Sequence, residues 1–190
     1  GWAMLIMGVV LLPIFAISEV IQPTPGDPGI PVLTLTQDAG LRITFMLASL
    51  FCLLPAAAAE EILFRGWLLR QSMAFVRSPW IAFAVNGVLF AAMHMNPNLD
   101  DSFQLAMMGV AFCYMAFRFG GIEFAIGAHA INNLLIVWFF SPLPLANDTH
   151  PFSWTTVAAG FLVPAACVIV TEVVLRWEPL RRLVGAEAPP

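Results

Sequence analysis

Long apolar runs constrain this chain more than any other feature. Between Trp2 and Trp177 the sequence falls into predominantly apolar runs, separated by short polar or Pro/Gly-rich stretches. These runs are about 16 to 22 residues long, and a helix needs roughly 20 to cross a hydrocarbon core about 30 Å thick, so the chain is expected to cross a bilayer repeatedly. The composition agrees: 60% of residues are hydrophobic, 11% are charged and mean hydropathy is +0.86, outside the range of soluble domains. The expected fold class is all-α, a polytopic integral membrane bundle. Residues 1–190 read as one membrane-embedded domain, with no internal repeat and no second soluble unit.

Six spans are expected: Trp2–Ile21, Leu41–Gln71, Trp80–Met95, Ser102–Phe119, Ile122–Phe140 and Trp154–Trp177. The first lacks a basic n-region and a small-residue cleavage site, so it reads as a spanning helix rather than a signal peptide. It is followed by QPTPGDPGIPVLTLTQDAG, which reads as a loop because proline and glycine at this density cannot continue a helix. The second run is longer than a membrane is thick, so it must tilt, kink or project, and Pro55 is the expected kink. Alternating the loops puts Arg70, Arg77, Arg118, Arg176, Arg181 and Arg182 on one side and Arg42 on the other. Positively charged residues mark the cytoplasmic side, so both termini are expected there. All five aspartates, Asp27, Asp38, Asp100, Asp101 and Asp148, then fall in the opposite loops.

A net charge of −4 with no lysine offers no basic surface, which disfavours nucleic acid as a partner. Cys52, Cys113 and Cys167 lie inside apolar runs without CxxC or Cys/His spacing and read as packed thiols.

Several polar residues fall inside the spans: Glu60, Glu61 and Arg65 on the second, Asn86 and His94 on the third, and His129, Asn132 and Asn133 on the fifth. An ionisable group at bilayer depth costs about 2.5–3.5 kcal/mol on insertion scales, so these residues point to a functional site facing the bundle interior. Glu61 and Arg65 are spaced i, i+4 with the acid first, the favoured order for an intrahelical ion pair. Glu60 projects about 100° away and has Leu63 and Phe64 at i+3 and i+4, so it is the carboxylate left to act as a general base. His94 is its expected partner, sharing a proton and a water. His129 and Asn133 are also i, i+4, and an imidazole beside an amide suits donation to an oxyanion. Asn86 and Asn132 read as interhelical hydrogen-bonding residues, and His150, Glu19, Glu123 and Glu172 as solvated.

In order and spacing, AEEILFRG, FAAMH and HAINN resemble the EExxxR, FxxxH and HxxxN motifs of the CPBP family of intramembrane proteases. That family comprises CAAX proteases and bacteriocin-processing enzymes, and is also called Abi. The motif-bearing core covers about residues 41–140. The resemblance implies a membrane endopeptidase related to the eukaryotic prenyl-protein CAAX endopeptidase, with Glu60 and His94 activating water and His129 and Asn133 stabilising the oxyanion. Glu61 and Arg65 would be a structural pair. It also implies a metal-free mechanism, a peptide or protein-tail substrate in the membrane, and a polar cavity reaching Glu60 from one side. The expected location is a bacterial inner (plasma) membrane.

Three other readings are open at this level. Glu60, His94 and His129 match a catalytic zinc set with one free position. Buried carboxylates and histidines also build proton relays, as in a small proton-coupled transporter, although here they crowd onto the middle spans instead of repeating in both halves. A non-catalytic immunity or partner protein is the third, and it would be expected to carry degraded motifs.

Overall fold

A computed structural model describes residues 1–21, 30–34, 37–140 and 149–187 of the chain. Asp27, Asp148 and the side chain of Glu19 lie outside the described residues. Every regular element described is helical. They are α1 (Trp2–Ile21), α2 (Pro31–Thr34), α3 (Ala39–Glu61), α4 (Leu69–Phe75), α5 (Pro79–His94), α6 (Leu99–Phe119), α7 (Glu123–Leu135), α8 (Trp154–Gly160), α9 (Leu162–Arg176) and α10 (Glu178–Val184). Two π-helical turns interrupt this α geometry, Ile62–Leu68 between α3 and α4 and Ile136–Phe140 after α7.

The apolar helical segments follow the six expected spans. Four are long and apolar enough to cross a membrane: Ala39–Phe75, Leu99–Phe119, Glu123–Phe140 and Trp154–Arg176. α1 and α5 are the shorter apolar helices beside them. The chain is an all-α integral membrane bundle.

Local chemistry sets the ends of these helices. The Asp38 carboxylate accepts the Leu41 N–H at 2.8 Å and caps α3. Pro79 opens α5, where its missing N–H costs nothing. α6 begins with Asp100 and Asp101 in its first turn and ends at Gly120, whose φ of 69° is natural for glycine. The Ser153 hydroxyl accepts the Thr156 N–H and caps α8.

Three local features depart from the sequence reading. Pro31–Thr34 is a short helical turn inside the stretch expected to be a loop. Pro55 sits within regular α3, and the departure from α geometry comes after it, in the π turn at Ile62–Leu68. The last span is divided at Phe161, because Pro164 has no N–H to offer the Gly160 carbonyl.

Small residues let the helices approach closely. A Cβ at Gly87 of α5 would lie 2.5 Å from the Ala106 carbonyl oxygen, and one at Gly109 of α6 would lie 2.7 Å from Gly87 Cα. A Cβ at Gly127 of α7 would meet Ala3 Cβ of α1 at 2.6 Å. Packing of this kind substitutes in lipid for the missing hydrophobic drive between helices. Met7 and Leu11 of α1, Phe112 and Met115 of α6, Ala128 of α7 and Val174 of α9 lie within one buried core. α3 stands at the edge, with Leu47 and Phe51 exposed, as suits a face turned to lipid.

Cys113 and Cys167 are buried as expected, but Cys52 is exposed on α3 because that helix packs on few neighbours. Glu172 is not simply solvated either. It accepts the Tyr114 hydroxyl at 2.7 Å and pairs with Arg118 at 2.6 Å and Arg176 at 2.8 Å. This network gathers two of the six same-side arginines where α6 and α9 end.

Candidate active site

The site is built where the end of α3 meets α7 against α5 and α6. Glu61 is fully buried, and its Oε1 accepts the Arg65 Nη1–H at 3.0 Å, the pair read from the i, i+4 spacing. The same oxygen lies 2.9 Å from His129 Nδ1. Nδ1 therefore donates to Glu61, and Nε2 is the nitrogen left to face the site. Sequence reasoning treated Glu61 as occupied by Arg65 alone. Its contact with His129 depends on which face α3 turns toward α7, and a single helix's spacing does not carry that information.

Arg65 ties three helical segments together. Its second arm donates to the Gly109 carbonyl of α6 at 3.0 Å. The guanidinium carbon lies 4.5 Å from the Phe90 ring centroid, 5.3 Å from that of Phe112 and 5.6 Å from that of Phe64. A planar cation can satisfy a carboxylate, a carbonyl and aromatic faces at once, which suits arginine to this buried position.

Glu60 turns away from this pair, as the helical step requires. Its side chain is 32% exposed, yet Oε2 is buried without a hydrogen-bond donor and lies 3.8 Å from His129 Nε2. The nearest imidazole is thus His129, where sequence reasoning expected His94. Among the described residues no hydrogen bond or ion pair joins Glu60 to His94. His94 is the last residue of α5 and is exposed, ahead of the left-handed Met95 (φ 47°). Its Nδ1 lies 2.8 Å from the Phe90 carbonyl oxygen, so Nδ1 carries the proton and Nε2 presents a lone pair. The Phe90 ring touches both histidines, with centroids 4.6 Å from His94 and 5.9 Å from His129. Phe112 stacks on the other side of His129 at 5.0 Å.

Asn133 follows His129 by one turn on α7. Asn132 donates to Asn133 Oδ1 at 3.2 Å, which leaves the Asn133 NH2 as the end that can donate elsewhere. Asn132 was expected only to bind neighbouring helices. Its contact is instead with the next residue, and adjacency in sequence was the available signal. Asn86 does bond between helical segments, to Ser72 Oγ of α4 at 3.1 Å, while also donating to the Ala82 carbonyl at 2.8 Å. The two π turns begin directly after Glu61 and shortly after Asn133, and such turns are frequent at functional sites.

Among the described residues, the group of His, Cys, Asp and Glu side chains whose ligand atoms lie within 4.8 Å of one another is Asp100, Asp101 and His150. Glu60, His94 and His129 do not form such a group. The cavities lined by Val168–Trp177 residues and by residues near the two termini also lie apart from Glu60, whose opening is its own partial exposure.

Comparison with known proteins follows the same residues. The family model described as type II CAAX prenyl endopeptidase Rce1-like matches residues 42–135, a stretch that contains Glu60, Glu61, Arg65, His94, His129 and Asn133. "Uncharacterized protein YyaK" of Bacillus subtilis (strain 168) is 30% identical over 107 residues, covering 53% of this chain and 36% of that protein. The chain therefore spans about a third of the length of this curated relative. No solved structure matches. Residues 42–135 are thus similar to the Rce1-like family of type II CAAX prenyl endopeptidases, the same resemblance that the EExxxR, FxxxH and HxxxN motifs carry.

Proposed function

We propose that the protein is an intramembrane endopeptidase that hydrolyses a peptide bond in a membrane-associated peptide or protein tail, using Glu60 as general base and no metal. The observation that carries this reading is the buried, donor-free Glu60 Oε2 set 3.8 Å from the Nε2 of a histidine held by Glu61. One water can hydrogen-bond to both groups across a gap of this size. As the water oxygen bonds to the substrate carbonyl carbon, Glu60 accepts the water's proton. The carbonyl oxygen becomes an oxyanion and takes hydrogen bonds from the Asn133 amide and from His129, which donates through Nε2 when both its nitrogens carry protons. Glu60 then passes its proton to the leaving nitrogen as the C–N bond breaks, giving a carboxylic acid and an amine, and the acid's remaining proton passes to the amine to leave a carboxylate and an ammonium.

His94 completes the set in this proposal by offering Nε2 to the same water, its other nitrogen being committed to the Phe90 carbonyl. Glu61 and Arg65 are positioning residues that fix the His129 ring. The metal-free form is preferred over the zinc form because Glu60, His94 and His129 do not draw their ligand atoms within 4.8 Å of one another. We place both termini on the cytoplasmic side of the membrane, on the strength of the arginine distribution.

The test is cleavage of a library of lipid-anchored peptides, prenylated and unprenylated, by the purified chain in liposomes. Site-specific cleavage that persists after exhaustive chelation is expected. Absence of cleavage across the library contradicts the enzymatic reading, and cleavage lost to chelator and restored by zinc contradicts the metal-free one.

A further inference from the structure

A second cluster of ligating side chains lies where α5 ends and α6 and α8 begin. Asp100 and Asp101 open α6, and His150 comes from the segment before α8. His150 Nε2 lies 3.2 Å from Asp101 Oδ2, and its Nδ1 lies 3.8 Å from Asp100 Oδ2. Neighbouring groups hold the cluster in place. Asn98 and Asn96 donate to Asp101 Oδ2 at 3.1 and 3.4 Å, the Ser153 N–H donates to Asp100 Oδ2 at 3.0 Å, and the His150 N–H donates to Asn98 Oδ1 at 3.2 Å.

Two features indicate that the cluster needs a cation. The Asp100 side chain is only 1% exposed, and its Oδ1 is buried with no donor at all. A buried carboxylate left this way is costly unless positive charge meets it. Second, His150 Nδ1 lies 3.1 Å from the Pro151 carbonyl oxygen and so carries a hydrogen, which leaves Nε2 as the lone pair facing Asp101. A lone pair and a carboxylate oxygen at 3.2 Å repel each other unless a proton or a metal ion lies between them. A proton on His150 would still leave two carboxylates against one positive charge, whereas a divalent ion on neutral His150 balances both.

We propose that Asp100, Asp101 and His150 form a binding site for one divalent transition-metal cation of the zinc class, separate from the Glu60 site. One imidazole and two carboxylates, with a fourth position for water, suit such an ion. The ligand atoms already lie within 4.8 Å of one another, and ligands at about 2.0–2.2 Å from one ion need close in only slightly. The ion would fasten the turn after His94 to the start of α8.

The experiment is zinc titration of the tag-free, chelator-stripped full chain in detergent, read by bound zinc per chain and by thermal melting. The expected result is one zinc per chain with a rise in Tm. Asp101→Asn and the milder, half-exposed His150→Ala should each weaken uptake by at least about tenfold, while Glu60→Gln binds as the native chain does. No zinc-dependent rise in Tm, uptake by His150→Ala equal to native, or loss of uptake in Glu60→Gln would each overturn the proposal.

Discussion

At the residue scale, Arg65 binds the most partners in the site, its guanidinium meeting Glu61, the Gly109 carbonyl and three aromatic rings inside the bundle. Removing one partner of a buried, hydrogen-bonded ion pair leaves the other charge stranded, at a cost of about 3–5 kcal/mol. Arg65→Ala is therefore predicted to lower stability by that amount in chemical denaturation. Arg65→Lys is predicted to recover only part of it, because a single ammonium cannot reach both Glu61 and Gly109. Asn133→Ala tests a different property. If its amide supports the oxyanion, kcat should fall by about 10²–10³ with KM nearly unchanged. A change confined to KM would mean that Asn133 binds substrate instead. The Glu61–Arg65 pair could be read from sequence because both partners lie on one helix and spacing alone brings them together. The exchange of His94 for His129 beside Glu60 could not, since it depends on how α3 rotates against α7. The same limit applies to the Glu172–Arg118 and His150–Asp101 contacts, which span 54 and 49 residues of sequence.

At the element scale, the six apolar segments were legible because hydrophobic length is a property of the local sequence. Asp38, Pro79, Gly120 and Ser153 set helix ends in the structure, two or three residues away from the ends of the apolar runs in places, because capping residues are polar or lack a side chain and hydropathy does not register them. The π turns were not legible either, since their extra residue per turn is accommodated by neighbours that sequence spacing does not reveal. α10, with Pro179 in its first turn and Gly185 after its end, carried ordinary signals but is too short to register as a span. The α5–α6 crossing makes a direct prediction. Because a Cβ at Gly87 would fall 2.5 Å from the Ala106 carbonyl oxygen, Gly87→Val must push the two helices apart. Overpacking of this kind costs about 1–3 kcal/mol. Thermal melting should fall accordingly, whereas Gly66→Ala, with its nearest contact at 3.7 Å, should melt close to native.

At the scale of the whole molecule, alternating loops would put Arg70, Arg77, Arg118, Arg176, Arg181 and Arg182 on the cytoplasmic side and Arg42, at the start of α3, on the opposite side. In a cysteine-free background, Arg77→Cys is predicted to react with a membrane-impermeant maleimide only from the cytoplasmic side and Asp38→Cys only from the opposite one. The reverse pattern would invert the topology, and with it the side from which a substrate tail approaches Glu60. The two proposed sites also separate at this scale. Chelation is predicted to lower Tm through the Asp100–Asp101–His150 cluster while leaving cleavage well below the melting range intact, and His150→Ala should remove the chelator's effect on Tm.

The most direct measurement is the initial rate of peptide cleavage by native protein and by Glu60→Gln, each purified to the same melting temperature and reconstituted in the same liposomes. Gln keeps the size and polarity of Glu60 but cannot accept the water's proton. Cleavage is predicted to fall to background in Glu60→Gln while substrate binding is retained. Equal rates in the two proteins would contradict the assignment of Glu60 as the general base.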